Sequence, residues 1–178
     1  MMKKKLQDAF NAQINEELYS AYLYAAMRAA FESMNLKGYA NWMRLQVEEE
    51  LFHARKFMEF IFERGGEVEL KAIKQPQAQW DSPLAMFEAA YRHECHISEC
   101  INKLSTLAMK EDDHAARIFL EWFVTEQVEE EANADGMVQN LKLMKDAPGG
   151  LFMLDREAGQ RVISPLVLAS ITGAAAGA

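Results

Sequence analysis

The sequence has little that breaks a helix and little that cross-links a chain. Its 178 residues include 4 prolines and 9 glycines, and neither residue occurs between Lys5 and Asn35. Nothing in that stretch interrupts one long helix. Two cysteines, Cys95 and Cys100, are too few for a disulfide framework or a four-cysteine metal centre. Five positions apart on a helix, they point to different faces and do not bridge easily, so they are expected as buried thiols in a reducing cytosol. Positive charge is in the minority, with 19 Lys and Arg against 27 Asp and Glu and a net charge of -8. An acidic surface disfavours nucleic acid as the main partner and attracts cations. Signal and membrane segments are missing too. Met1-Met2-Lys3-Lys4-Lys5 is basic, but Asp8, Asn11, Asn15, Glu16 and Glu17 spoil any apolar run behind it. The charge-free stretch from Val162 to Ala178 is too short and too weakly apolar to span a bilayer. These absences lead us to expect a cytoplasmic protein with no membrane and no nucleic-acid partner.

What is present is helical periodicity. Leu6, Phe10, Ile14, Leu18 and Tyr22 recur at helical spacing and predict a first helix over about Lys5–Asn35. A turn at Asn35-Leu36-Lys37-Gly38 leads to a second helix, stopped near Arg64 by Gly65-Gly66. Asp81-Ser82-Pro83 supplies a cap and a first-turn proline for a third helix ending near Lys110. The acidic turn Glu111-Asp112-Asp113 leads into a fourth helix, ended near Lys145 by Ala147-Pro148-Gly149-Gly150, and a short fifth helix is expected over Leu151–Arg161. The short connections make two antiparallel hairpins. The middle connection, about fifteen residues long, reaches about 50 Å extended. A helix of about twenty-eight residues is about 42 Å long. The loop can therefore run the length of the bundle and set the third helix parallel to the second. The expected fold is all-α: a four-helix bundle with one long crossover and a short fifth helix, forming one domain over residues 1–161. Residues 162–178 form an apolar C-terminal tail, which must be held by protein.

The apolar stripe of each helix is interrupted by acid. The lines are Phe10, Ile14, Glu17, Ala21, Tyr24; Met43, Gln46, Glu50, His53, Phe57, Phe60; Phe87, Tyr91, Glu94, Ser98, Ile101; and Phe119, Phe123, Gln127, Glu130, Ala134, Met137. Residues three or four apart share a helix face, so every helix delivers a carboxylate to the core near its midpoint. Two carboxylates about 6 Å apart repel by about 3 kcal/mol even at an effective dielectric of about 20. Desolvation adds several kcal/mol for each ion. No lysine or arginine lies on these lines. Two divalent metal ions would balance four carboxylates, and glutamate oxygens with one imidazole suit Fe(II), Mn(II) or Zn(II). Open positions in a carboxylate-rich set favour iron with oxygen.

At these residues the chain resembles the non-haem ferritins of bacterial and archaeal type. The matching stretches are Asn15-Glu16-Glu17-Leu18-Tyr19-Ser20, Glu49-Glu50-Leu51-Phe52-His53, Tyr91-Arg92-His93-Glu94, and Trp122 through Glu131. The general ferritin-like arrangement, two Glu and two Glu-x-x-His, differs at one point: the fourth helix carries Gln127-x-x-Glu130. Bacterioferritins and rubrerythrins carry a second Glu-x-x-His there, so the difference points to ferritin. The resemblance implies a ferritin-like bundle with two iron sites. One is Glu17, Glu50 and His53; the other is Glu50, Glu94 and Glu130, with Glu50 bridging and Gln127 nearby. It also implies a third, inward-facing site at Glu49, Glu126, Glu129 and Glu130. Tyr24 and Trp122 match aromatic residues beside the di-iron centre that can supply an electron. The implied activity is oxidation of Fe(II) by O2, with the iron stored as a ferric mineral inside a homo-oligomeric cage of twenty-four subunits. Rival readings are a di-iron peroxidase or oxidase that stores little, and a redox-silent Zn or Mn bundle. His93, His96 and His114 are expected at the surface or an interface. Glu111, Asp112, Asp113 and Glu121 are candidates for an iron entry channel, with Arg117 among them.

Overall fold

The chain alternates long helix-forming runs with short breakers, and the computed structural model, which describes residues 2–172, follows that order. Helices α1 (Lys4–Ser33), α2 (Lys37–Glu63), α3 (Pro83–Lys110) and α4 (His114–Leu143) form the bundle, and α5 (Gly150–Ala158) and α6 (Pro165–Thr172) follow. Local chemistry sets several ends. The Ser82 hydroxyl accepts from the Ala85 amide at 3.1 Å, with Pro83 in the first turn of α3. The Asp113 carboxylate accepts from the Ala116 amide at 3.0 Å and starts α4. Gly65, just past α2, has φ of 64°, the left-handed region that glycine enters without steric cost.

End-to-end contacts fix the topology. Met2 N donates to the Arg64 carbonyl at 3.2 Å, so the start of α1 meets the end of α2. Lys3 and Lys5 bind Glu111, so the start of α1 also meets the end of α3. Arg64 forms a fork with Asp113, both contacts at 2.9 Å, which brings the ends of α2 and α3 together. Helices α2 and α3 therefore run parallel, as the long crossover requires. The crossover is pinned to α1: Asn11 donates to the Glu67 carbonyl at 3.0 Å and accepts from the Glu69 amide at 2.8 Å.

Two apolar clusters hold the bundle. One gathers Tyr24, Met27, Phe31, Tyr39, Met43 and Phe87. The other gathers Phe10, Ile14, Phe57, Ile101, Leu120 and Phe123, with the Phe57 and Phe123 rings stacked at 4.2 Å. Each fully buried Phe, Ile or Met side chain contributes roughly 1.5–3 kcal/mol. The acidic positions of all four helices fall between the two clusters, so packing of the apolar ends buries the middle carboxylates.

The C-terminal region departs from expectation. The sequence reading places no helix beyond Arg161, yet α6 forms and lies on α2. Val167 is buried there, and Arg55 donates to the Ser170 hydroxyl at 3.3 Å. Residues 173–178 of the expected tail lie outside the described residues. Cys95 and Cys100 are free but half-buried, not fully buried. Among the described residues, no helix is long and apolar enough to cross a membrane.

Candidate metal centre

The acidic positions meet in the middle of the bundle. Glu17 from α1, Glu50 and His53 from α2, Glu94 from α3, and Gln127 and Glu130 from α4 are all buried, none more than 5% exposed. The i, i+3 spacing of Glu50 and His53 sets His53 Nδ1 3.5 Å from Glu50 Oε2. One ligand atom from each of Glu17, Glu50 and His53 lies within 4.8 Å of the others. Glu94 and Glu130 stand outside that tight group. Glu94 accepts hydrogen bonds from the Tyr24 phenol and from Gln127 Nε2, the latter at 3.4 Å. Glu130 accepts from Gln46 Nε2 at 2.9 Å.

Protein donors do not satisfy this acid. Glu17 Oε1 accepts from Gln13 Nε2 at 2.9 Å, but Glu17 Oε2 is buried with no partner. A proton on Glu17, shared with Glu50, would pair it. Burial, and then the Glu50 charge, hold the Glu17 carboxyl well above the usual carboxylate range. Burial, and then Glu94 and Glu130, do the same for Glu50. Burial and Glu130 push Glu94 up to about 8. Burial and the Glu94 charge hold the Tyr24 phenol well above its ordinary value. Hard oxygen ligands with an unpaired buried lone pair and one imidazole fit divalent iron, manganese or zinc. A metal ion would replace the protons that metal-free carboxyls must otherwise hold.

Further polar and aromatic groups touch the acids, and the sequence assigns most of them no role. Gln46 and Ser98 stand on the helical lines without an assigned role, and Gln13 lies off them; Ser98 accepts from Gln127 Nε2 at 3.4 Å. Gln13 lies one turn from Glu17 and Gln46 one turn from Glu50, a spacing that could have flagged both. Trp122 stands edge-on to the His53 ring at 5.6 Å, and the Lys56 ammonium lies 4.3 Å from a Trp122 ring centroid. The flank residues are less uniform. Glu49 is buried, Glu126 half-buried and Glu129 exposed. Burial pushes the Glu49 carboxyl up to about 7 against the opposing pull of Arg161.

Other candidates land elsewhere. His96 and His114 are exposed, as expected, but His93 is mostly enclosed; it shares a hydrogen bond of 2.7 Å with Ser20, and burial lowers its imidazole to about 4. Three of the four acids expected at an entry channel are paired within the chain. Glu111 binds Lys3 and Lys5, Asp113 binds Arg64, and Glu121 binds Arg117. Helix ends bring Lys3, Lys5 and Arg64 to Glu111 and Asp113, which the linear sequence does not reveal, whereas Arg117 and Glu121 are an i,i+4 pair on α4.

The chain matches known proteins over most of its length. A family profile described as Ferritin-like domain matches residues 7–144. The bacterial non-heme ferritin of Bacteroides fragilis is 41% identical over 161 residues, covering 90% of this chain and 100% of that protein. An open-pore ferritin from the hyperthermophilic archaeon Archaeoglobus fulgidus superimposes with a TM-score of 0.89 at 48% identity, covering 91% of this chain and 100% of that one. A closed form of the same archaeal ferritin, engineered by mutagenesis, gives a TM-score of 0.90 at 47% identity, covering 92% and 100%.

Proposed function

This chain belongs to the ferritin family of iron-storage proteins, and from that premise we propose that it is a ferroxidase. It takes up Fe(II) at a di-iron centre, passes the electrons to O2 and stores the product as a ferric oxyhydroxide mineral. The observation that carries this reading is the enclosed triad of Glu17, Glu50 and His53, whose ligand atoms lie within 4.8 Å of one another. One Fe(II) would be held by Glu17, Glu50 and His53, the other by Glu50, Glu94 and Glu130. Glu50 would bridge both, since it belongs to the triad and also feels the charges of Glu94 and Glu130.

The chain's own groups prepare the site. Gln13 orients Glu17, and Gln127 with Tyr24 orients Glu94. The carboxyls give up their protons as Fe(II) enters, so their charge appears only when cation is there to balance it. Iron supplies the redox chemistry. Tyr24, which donates to Glu94, and Trp122, beside His53, are placed to supply further electrons. Glu49, Glu126 and Glu129, with Glu130, form the flank onto which oxidised iron moves. Storage needs a cavity that one bundle lacks, so the working form is a homo-oligomeric cage, with twenty-four subunits as the expected number, in the cytoplasm.

Stopped-flow absorbance tests the reading, with apoprotein mixed in air with two Fe(II) per subunit. Wild-type protein should show a rapid ferric signal. Glu50→Ala should lose it, because a bridging carboxylate is not replaced by water alone. Unchanged rates in that variant would overturn the assignment.

A further inference from the structure

Arg161 lies in the linker between α5 and α6, far in sequence from every acid of the site, yet its guanidinium reaches the flank of the metal centre. Nη2 donates to Glu49 Oε2 at 2.7 Å, and Nη1 donates to Gln46 Oε1. Gln46 in turn donates to Glu130 Oε2 at 2.9 Å. Arg161 therefore touches one flank acid directly and a second acid through one amide. Its position is fixed at both ends. The Arg161 carbonyl accepts from Asn41 Nδ2 at 3.1 Å, and the guanidinium carbon lies 4.7 Å from a Trp42 ring centroid. The side chains of Arg161 and Glu49 are only 21% and 11% exposed, so water screens the pair weakly.

We propose that Arg161 is a tethered counter-cation that occupies Glu49 and restrains Glu130, so that a metal ion binds the flank only by displacing the guanidinium. The proposal rests on the di-iron reading above and assigns that site its regulation. Arginine keeps its charge at every physiological pH, so proton loss cannot move it aside. Only a cation of higher charge density competes for the same carboxylate oxygen. Two effects oppose each other. The guanidinium holds Glu49 in place, which favours a metal; it also repels the metal and fills the oxygen that the metal needs. Repulsion prevails, because a hydrogen bond that fixes one rotamer is a smaller effect than a full positive charge close to a divalent ion. Arg161 thus acts as a positioning and gating residue. It keeps the flank free of metal while the buried pair fills, and it yields only when enough free metal ion is present to displace it.

Anaerobic calorimetric titration with Zn(II), using the full-length assembled protein, tests this without any oxidation step. Wild type should bind two Zn(II) tightly per subunit and a third weakly. Arg161→Gln should retain the tight pair and bind the third at least tenfold more tightly. Arg161→Met, which keeps the aliphatic stem over Trp42, should behave in the same way and guards against a folding defect peculiar to one variant. Arg161→Lys should keep the third ion weak, because the charge remains. Adding Glu49→Gln to Arg161→Gln should abolish the gain. A gain of less than tenfold in both neutral variants overturns the proposal. So does an equal gain in Arg161→Lys, or one that survives Glu49→Gln. Absence of the tight pair from wild type would overturn the di-iron reading instead.

Discussion

Burial pushes the Glu94 carboxyl up to about 8 and the Glu49 carboxyl up to about 7, against an ordinary value of 4.5. Each group therefore holds more protons folded than unfolded between about pH 4.5 and those values. Stability changes with pH in proportion to the protons bound unfolded minus those bound folded, which is negative here. The contribution of these groups is present at low pH and is lost as pH rises from about 4.5 through 7 and 8. Metal-free protein should thus melt at a lower temperature at pH 8 than at pH 6, and Glu94→Gln should flatten that dependence. Saturating Zn(II) should raise the melting temperature at both values, and more at pH 8, where fewer protons must be displaced. A metal-free melting temperature that rises from pH 6 to pH 8, unaffected by Glu94→Gln, would contradict this balance. At this scale the ligand candidates were legible, because an acid on an apolar helical line stands out. Arg161 was not. Its contact with Glu49 spans 112 positions and depends on how the α5–α6 linker returns to α2, which no periodicity records.

The four long helices were legible from periodicity and from their breakers, but the way α5 docks was not. Gly38 lies in the first turn of α2, and a Cβ there would stand 1.5 Å from the Asp155 carbonyl oxygen of α5. Next to it the Tyr39 amide donates to the Asp155 carboxylate at 2.9 Å, so α5 caps α2 across the closest backbone approach. The sequence showed Gly38 only as part of a turn. Gly38→Ala should force the two helices apart and cost about 1–3 kcal/mol, as overpacking does. The measurement is chemical denaturation of the assembled protein, and an unchanged midpoint would show that α5 adapts freely. Helix α6 was missed for a different reason. Pro165–Thr172 is apolar or small throughout, so no amphipathic stripe marks it as a helix, although proline suits a first helical turn. Ser164 before it accepts from the Val167 amide at 3.3 Å, a capping signal that was available in the sequence.

One subunit leaves apolar surface uncovered at its C-terminal end. Phe152 and Met153 on α5 are 65% and 63% exposed, and Leu166, Leu168 and Ile171 on α6 are about half exposed. Exposed apolar side chains grouped on a helix in this way suit an interface. In the cage proposed above, copies of the same chain would cover it, and each Leu or Ile buried there would contribute roughly 1.5–3 kcal/mol. Deleting residues 162–178 should therefore lower the melting temperature of the assembly or release smaller species on size-exclusion chromatography. An equally stable particle would show that α6 serves its own subunit only. Periodicity and spacing carry no sign of assembly; the expectation of a cage comes from the resemblance alone. The central claim, however, concerns the interior: four helices bring their glutamates together to hold two metal ions. Anomalous diffraction from crystals soaked anaerobically in Fe(II) tests it most directly. The account predicts two iron peaks per subunit inside the bundle, one against Glu17 and His53, the other against Glu94 and Glu130, with Glu50 between them. Iron found only on the outer surface, with the bundle interior empty, would contradict it.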